Sequence, residues 1–176
     1  MDGLYQKGIY DTIWQPLTTN LINTFITTVY STSSNIIVGV DNEGVRVSDK
    51  NIISWDEKNH GITGLNIKSI LTINDSIYLG TEGAGIYFSN NSGQTWTKRN
   101  NNLLNYGVND LQLIDNAIYA GTLKGLYYST DYGQTWINDG FQDTSINVII
   151  DVDSLILLGT NDGVYKKVLN ENIWND

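Results

Sequence analysis

The stretch "STDYGQTW", from Ser129 to Trp136, closes an apolar segment and has a near-copy in "SNNSGQTW", from Ser89 to Trp96. Its residue types suit a tight turn between two β-strands. Asp131 can accept hydrogen bonds from backbone amides two or three residues on, and Gly133 permits a conformation that a Cβ disfavours. Trp136 can bury its ring while its indole N–H finds a carbonyl. Because nothing here activates a nucleophile, the octapeptide predicts a hairpin turn.

The tryptophan of this stretch belongs to a repeat that runs through the whole chain. The five tryptophans are 41, 41, 40 and 38 residues apart, and a glycine stands 11 residues before each one. Upstream of the last four glycines lies an apolar segment that itself ends in glycine, such as "SIYLGT" or "LILLGT", and another apolar segment precedes that one. A period of this length and regularity indicates repeated structural units. The paired positions are Gly3 and Trp14, Gly44 and Trp55, Gly85 and Trp96, Gly125 and Trp136, and Gly163 and Trp174.

Each repeat predicts four short β-strands joined by turns. Proline occurs only at position 16, and no helical period is present. Four-stranded units of about 40 residues are typical of β-propeller blades. A β-sandwich or barrel also has many short strands, but it would not require one glycine-to-tryptophan register in every unit. We predict a single β-propeller domain over residues 1–176, with a half blade at 1–18 and blades at about 22–58, 62–101, 107–140 and 146–176.

The pattern in Ser129–Trp136 resembles the Asp-box, or BNR repeat, of sialidases, xyloglucan-cleaving glycosidases, sortilin-type receptors and photosystem II assembly factors. The copies in the first and last repeats are degraded: "SDKNIISW" lacks the glycine, and "KVLNENIW" keeps only its tryptophan. The resemblance implies a β-propeller with the box on the face opposite the ligand site, and it favours an extracellular or cell-envelope location. The residues matched to the box are Ser89, Asn91, Gly93, Thr95 and Trp96, and Ser129, Asp131, Gly133, Thr135 and Trp136.

Composition narrows the classes of partner and location. The chain has 10 basic and 19 acidic residues, a net charge of -9, and no cysteine. This charge would repel phosphate backbones, so we expect no nucleic-acid partner. No apolar run is long enough to span a membrane, and we expect no signal peptide within this sequence, so that any export signal has been removed or lies outside it. The lack of cysteine excludes disulfides and leaves the compartment open.

The expected ligand face of a propeller carries the loops between strands two and three and the linkers between blades. Aromatic and amide side chains there suit protein or glycan recognition. An alternative is that Tyr106 and Phe141 only anchor their own loops, and that His60 is a solvated loop residue. The candidate binding residues are His60, Arg99, Asn101, Tyr106, Asp139 and Phe141.

The sequence favours binding over catalysis. Sialidases that resemble this repeat hold the substrate with three arginines, and this chain has only Arg46 and Arg99. A fragment of another glycoside hydrolase stays open as the alternative, since such enzymes need only two suitably spaced carboxylates. "DNEG" and "TNDG" contain residues found in calcium loops but lack the full spacing, so we predict no metal and no cofactor.

The N-terminal repeat is incomplete, because Gly3 aligns with the glycine that opens strand three of the other repeats. Residues 1–18 therefore supply only two outer strands. Uncovered strand edges invite pairing. Three outcomes are open: a segment of a longer propeller, association with another copy, or a four-bladed ring with a partial fifth blade.

Overall fold

The computed structural model describes residues 3–17, 21, 24–51, 54–169, 171 and 173–176. Within these ranges the chain has 17 β-strands and no helix, so the all-β prediction is confirmed. No helix of the described residues could therefore cross a membrane. The strands form five antiparallel sheets of two to four strands. The predicted blade limits at residues 1, 18 and 22 lie outside the described residues.

Three repeats form complete β-propeller blades, in which the strands follow one another in sequence order across the sheet. The first blade contains β3 (Ile26–Ser31), β4 (Asn35–Val40), β5 (Gly44–Asp49) and β6 (Asp56–Glu57). The second contains β7 (Ile67–Ile73), β8 (Ser76–Thr81), β9 (Ile86–Ser89) and β10 (Thr97–Lys98). The third contains β11 (Val108–Ile114), β12 (Ala117–Thr122), β13 (Gly125–Ser129) and β14 (Ile137–Asn138).

The two terminal units are smaller. The N-terminal half-unit pairs β1 (Tyr5–Gln6) with β2 (Gln15–Pro16). The fourth blade has β15 (Ile146–Val152), β16 (Leu155–Thr160) and β17 (Gly163–Val168), and its outer strand is reduced to one bridge between Lys166 and Asn175. It thus departs from the predicted four strands. Lys167 and Leu169 stand where the second and third blades have a serine and an amide or acid, so the side chains that close the turn in those blades are missing here.

The octapeptide turns are held by side chains that accept backbone amides. Ser129 Oγ accepts from the amide of Gly133 at 2.8 Å, and Asp131 Oδ1 accepts from the amide of Thr135 at 2.8 Å and from Ser129 Oγ at 2.7 Å. Burial opposes ionisation of Asp131, but hydrogen bonds from Thr135, Ser129 and the Gln134 amide outweigh it and lower the pKa to about 2. Asn91 holds the second-blade turn in the same way with an amide oxygen, which accepts from the amide of Thr95 at 3.0 Å.

Each buried tryptophan fastens its blade to the preceding unit. The indole Nε1 of Trp136 donates to the carbonyl of Arg99 at 2.7 Å, and that of Trp96 donates to Lys58 at 2.7 Å. The indole Nε1 of Trp55 likewise donates to the carbonyl of Leu17, which follows the N-terminal half-unit, at 3.1 Å. The turn thus fixes the start of the outer strand, and the indole binds the residue that follows the outer strand of the preceding unit.

The inner strands lie side by side, β11 between β7 and β15, and bind one another through side chains at a β-bulge. The amide of Leu111 donates to Ser69 Oγ at 3.1 Å, and the amide of Ile149 donates to Asp110 Oδ2 at 2.8 Å. Burial raises the pKa of Asp110 despite these amide and hydroxyl donors. Asp110 thus joins the second, third and fourth blades.

Apolar side chains fill the space between neighbouring sheets, and a glycine in strand two lets the next blade approach. A Cβ on Gly39 would lie 2.9 Å from Ile67 Cβ, and one on Gly121 would lie 2.8 Å from Ile146 Cγ2. Contacts this short are repulsive, so glycine is required where the next inner strand begins. The core is thus a series of junctions between blades.

Candidate functional site on the linker face

One face of the molecule, called here the linker face, carries two kinds of connection. Adjacent strands in each blade are antiparallel, so the loops between strands two and three emerge at the same end as the linkers between blades. In the described chain these are the loops 41–43, 82–85, 123–124 and 161–162, and the linkers 58–66, 99–107 and 139–145. The octapeptide turns lie at the opposite face.

The loops of the linker face are pinned by amide side chains that lie four residues after a tryptophan. Asn100 Oδ1 accepts from the amide of Ile86 at 2.7 Å, and its Nδ2 donates to the carbonyl of Ala84 at 3.0 Å. Asn59 holds the first-blade loop in the same way, because its Oδ1 accepts from the amide of Val45 and its Nδ2 donates to the carbonyl of Glu43. The site residues proposed from sequence omit both asparagines, although their common spacing from tryptophan was visible. They make the face rigid.

A cleft of about 320 Å³ opens on this face between the linkers 99–107 and 139–145. Leu104 forms an apolar patch at its edge and is 84% exposed, and Tyr106, two residues on, is 50% exposed. The side chains lining the cleft combine one apolar residue, amides, an ammonium, a carboxylate and a buried tyrosine; they are Leu104, Asn105, Lys124, Tyr127, Asn138, Gln142 and Asp143.

Three of the six candidate residues lie on exposed linker positions. His60, Asn101 and Tyr106 are all exposed. The carbonyls of His60 and Asn101 accept the backbone amides of Trp96 and Trp136, both at 3.0 Å, so their backbones are fixed while their side chains face solvent. Tyr106 is held likewise, since its carbonyl accepts from Gly85 at 2.9 Å.

The other three candidates, Arg99, Asp139 and Phe141, contact other side chains of the protein. The Arg99 guanidinium lies 4.5 Å from the ring of Phe88, and its Cβ lies beside the octapeptide turn at Gly133. Phe141 packs edge-on against Tyr165 at 5.0 Å and Trp174 at 5.4 Å, so it anchors its own loop.

Asp139 is also used inside a junction. Its carboxylate pairs with the ammonium of Lys167 at 2.5 Å, and Lys167 is buried and lies 4.5 Å from the ring of Trp174. Burial, followed by the nearby charge of Asp139, raises the pKa of Tyr119 to about 12. Lys167 thus links the third blade to the fourth at the junction that lacks the octapeptide turn.

The cleft can donate and accept hydrogen bonds and can bury an apolar or stacked group. Among the described residues that line the cleft, Asp143 carries the one carboxylate, and Asp139 pairs with Lys167. In the described part of the chain no three histidine, aspartate or glutamate side chains converge as a metal site.

No protein-family model and no curated protein matches this chain. Solved structures match over nearly its whole length. The extracellular domain of BT4673 from B. thetaiotaomicron aligns with 99% of the chain at a TM-score of 0.82 and 17% identity, and the chain covers 25% of that structure. The Niastella koreensis GH74 enzyme aligns with 99% of the chain at a TM-score of 0.76 and 16% identity, and the chain covers 34% of that structure. YCF48 bound to a D1 peptide aligns with 95% of the chain at a TM-score of 0.70 and 17% identity, and the chain covers 57% of that structure. The chain thus has the β-propeller fold and spans a quarter of the BT4673 domain.

Proposed function

We propose that this chain is a non-catalytic β-propeller scaffold that binds a protein or glycan ligand in the cleft of its linker face. The observation that carries the proposal is the lining of the cleft, which joins an exposed apolar patch at Leu104 to three amide side chains and a single carboxylate. Such a lining orients a ligand by hydrogen bonds without an acid–base pair to cleave it.

The rigidity of the face supports binding. The loop 123–124 beside the cleft is tied to both flanking linkers, because the amide of Leu123 donates to the carbonyl of Gly107 at 2.9 Å and that of Gly125 donates to the carbonyl of Thr144 at 3.0 Å, so little conformational entropy is lost when a ligand docks. The proposed location is extracellular or in the cell envelope. Fold likeness to the extracellular domain of BT4673 supports it.

A fragment of a glycoside hydrolase is the second candidate, supported by the fold likeness to the GH74 enzyme. The two candidates differ in turnover. A glycan array and a peptide library identify a ligand, and chromogenic glycosides measure hydrolysis in parallel. Binding without hydrolysis supports the scaffold. Hydrolysis that is lost on replacing one linker-face acid, such as Asp143→Asn, would establish the enzyme instead.

The site is tested by variants of exposed side chains. Leu104→Ser and Tyr106→Ala should each weaken binding about tenfold, or about 1.4 kcal/mol, because both remove apolar contact area. Tyr132→Ala is the matched control, since this tyrosine is exposed on the octapeptide face. Equal losses from Tyr106→Ala and Tyr132→Ala would place the ligand elsewhere.

A further inference from the structure

One face of the fourth blade is an uncovered apolar surface, called here the terminal seat. Strand register places its residues together, since Val148 pairs with Gly159 and Gly159 with Val164, while Ile150 pairs with Leu157. The seat contains one charged side chain, Lys166, opposite Leu157. Its apolar residues are Val148, Ile150, Val152, Leu155, Leu157, Val164 and Val168.

The same face is covered in the three complete blades. The residue that follows the glycine of strand three is fully buried there, as Val45, Ile86 and Leu126, whereas Val164 in the fourth blade is 65% exposed. The four residues hold the same position in their repeats, so the difference arises from the missing neighbour. The seat is thus one half of a blade junction.

The glycine that admits the next blade is also present. Gly39, Gly80 and Gly121 each lie against an inner-strand side chain of the following blade. Gly159 holds the equivalent place, and a Cβ there would meet only Val148 of its own blade. In the described chain no side chain of another blade lies against Gly159, although the same position accommodates one in the first three blades. We call this position the notch.

The composition of the seat specifies its occupant. Ser69 and Asp110 accept an amide from the next inner strand, but Val148 stands at the equivalent bulge position. At this position an occupant therefore meets an apolar side chain, whereas the adjacent Asn147 is exposed and holds the place from which Asn109 donates to the carbonyl of Ile146. Lys166 is exposed among aliphatic side chains, so a carboxylate of the occupant would complement it.

We propose that the terminal seat docks a β-blade of a partner polypeptide, whose inner strand places a β-branched side chain over Gly159. Three junctions within this chain already show this geometry, with Ile67, Val108 and Ile146 over their glycines.

A second copy of this chain fits the seat poorly. Among the described inner strands, β3 is the one whose side toward the preceding unit is uncovered, because Val29 is 54% exposed while its counterparts Ile70, Leu111 and Ile149 are buried. The outer part of that side is occupied by the half-unit, because Leu4 packs with Val38 and Trp55. The outer strands of a docked fourth blade would collide with the half-unit.

The test uses the absence of cysteine from this chain. Ile150→Cys places one thiol in the seat, and maleimide measures its exposure. The probe is the full chain extended after Asp176 by a specific protease site and a copy of its own residues 100–140. Docking should slow labelling at least about tenfold relative to the unextended chain, since the thiol reacts only when the blade opens. After cleavage the added blade should stay bound during gel filtration and the thiol should stay protected.

Gly159→Leu should restore fast labelling in the extended chain, because its side chain fills the notch. Gly83→Leu is the matched control, since a Cβ at Gly83 meets nothing within 4 Å, and it should leave the thiol protected. Equal labelling of the extended and unextended chains, or loss of the blade after cleavage, would overturn the proposal. Protection of the unextended chain that grows with its concentration and is abolished by Gly159→Leu would assign the seat to a second copy instead.

Discussion

Replacing Trp136 by phenylalanine measures how strongly the repeated tryptophan joins neighbouring blades. The ring is almost fully buried and its Nε1 donates to the carbonyl of Arg99 at 2.7 Å. Phenylalanine leaves that carbonyl without its donor, which costs about 1 to 3 kcal/mol. The smaller ring leaves a void that costs about 1 kcal/mol more. We therefore expect Trp136→Phe to lower the free energy of unfolding by about 2 to 4 kcal/mol.

The assay is urea unfolding followed by far-ultraviolet circular dichroism, because the substitution alters the fluorescence. With a slope of about 2 kcal/mol per molar urea, the midpoint should fall by about 1 to 2 M. Trp14→Phe is the matched control, since Trp14 is 60% exposed, and its effect should stay within about 0.5 kcal/mol. Equal effects of the two substitutions would refute the role of the tryptophan as an interblade fastener.

Three further predictions concern other parts of the junctions. The lowered pKa of Asp131 contributes stability that is present above pH 4 and is lost as the pH falls through about 2, so Asp131→Asn should flatten the melting temperature between pH 4 and 2. Gly121→Ala should cost about 1 to 3 kcal/mol by overpacking against the buried Ile146, and Gly159→Ala should cost less in a urea titration, because its one close neighbour, Val148, is 41% exposed and has room to shift. Lys167→Ala should lower the melting temperature by leaving Asp139 unpaired, and adding Asp139→Asn should recover part of the loss. A double variant no more stable than Lys167→Ala would show that packing, rather than charge, is the role of the lysine.

Most of the fold could be predicted from the regular spacing of glycine and tryptophan in the repeats. The fixed distance from glycine to tryptophan predicts the strand order, because the glycine opens strand three with a positive φ and the tryptophan precedes strand four. The single bridge at Asn175 was harder to predict. "KVLNENIW" signals a loosened turn but does not say how much of the outer strand survives.

The candidate site was predictable as a face and less so as individual residues. Linker composition identified the segments that flank the cleft, and Tyr106 is exposed as expected. Arg99 and Asp139 turn into blade junctions because they meet partners from other strands, Phe88 and Lys167. These contacts form only when separate strands pack together, so no local sequence pattern reveals them.

The most direct test of the proposed function is a backbone amide NMR titration of the 176-residue chain with a ligand found by the glycan or peptide screen. The account predicts shift changes confined to the linkers 99–107 and 139–145 and the loop 123–124, with the ligand recovered intact. Changes concentrated in the octapeptide turns at 89–96 and 129–136, or conversion of the ligand to product, would contradict it.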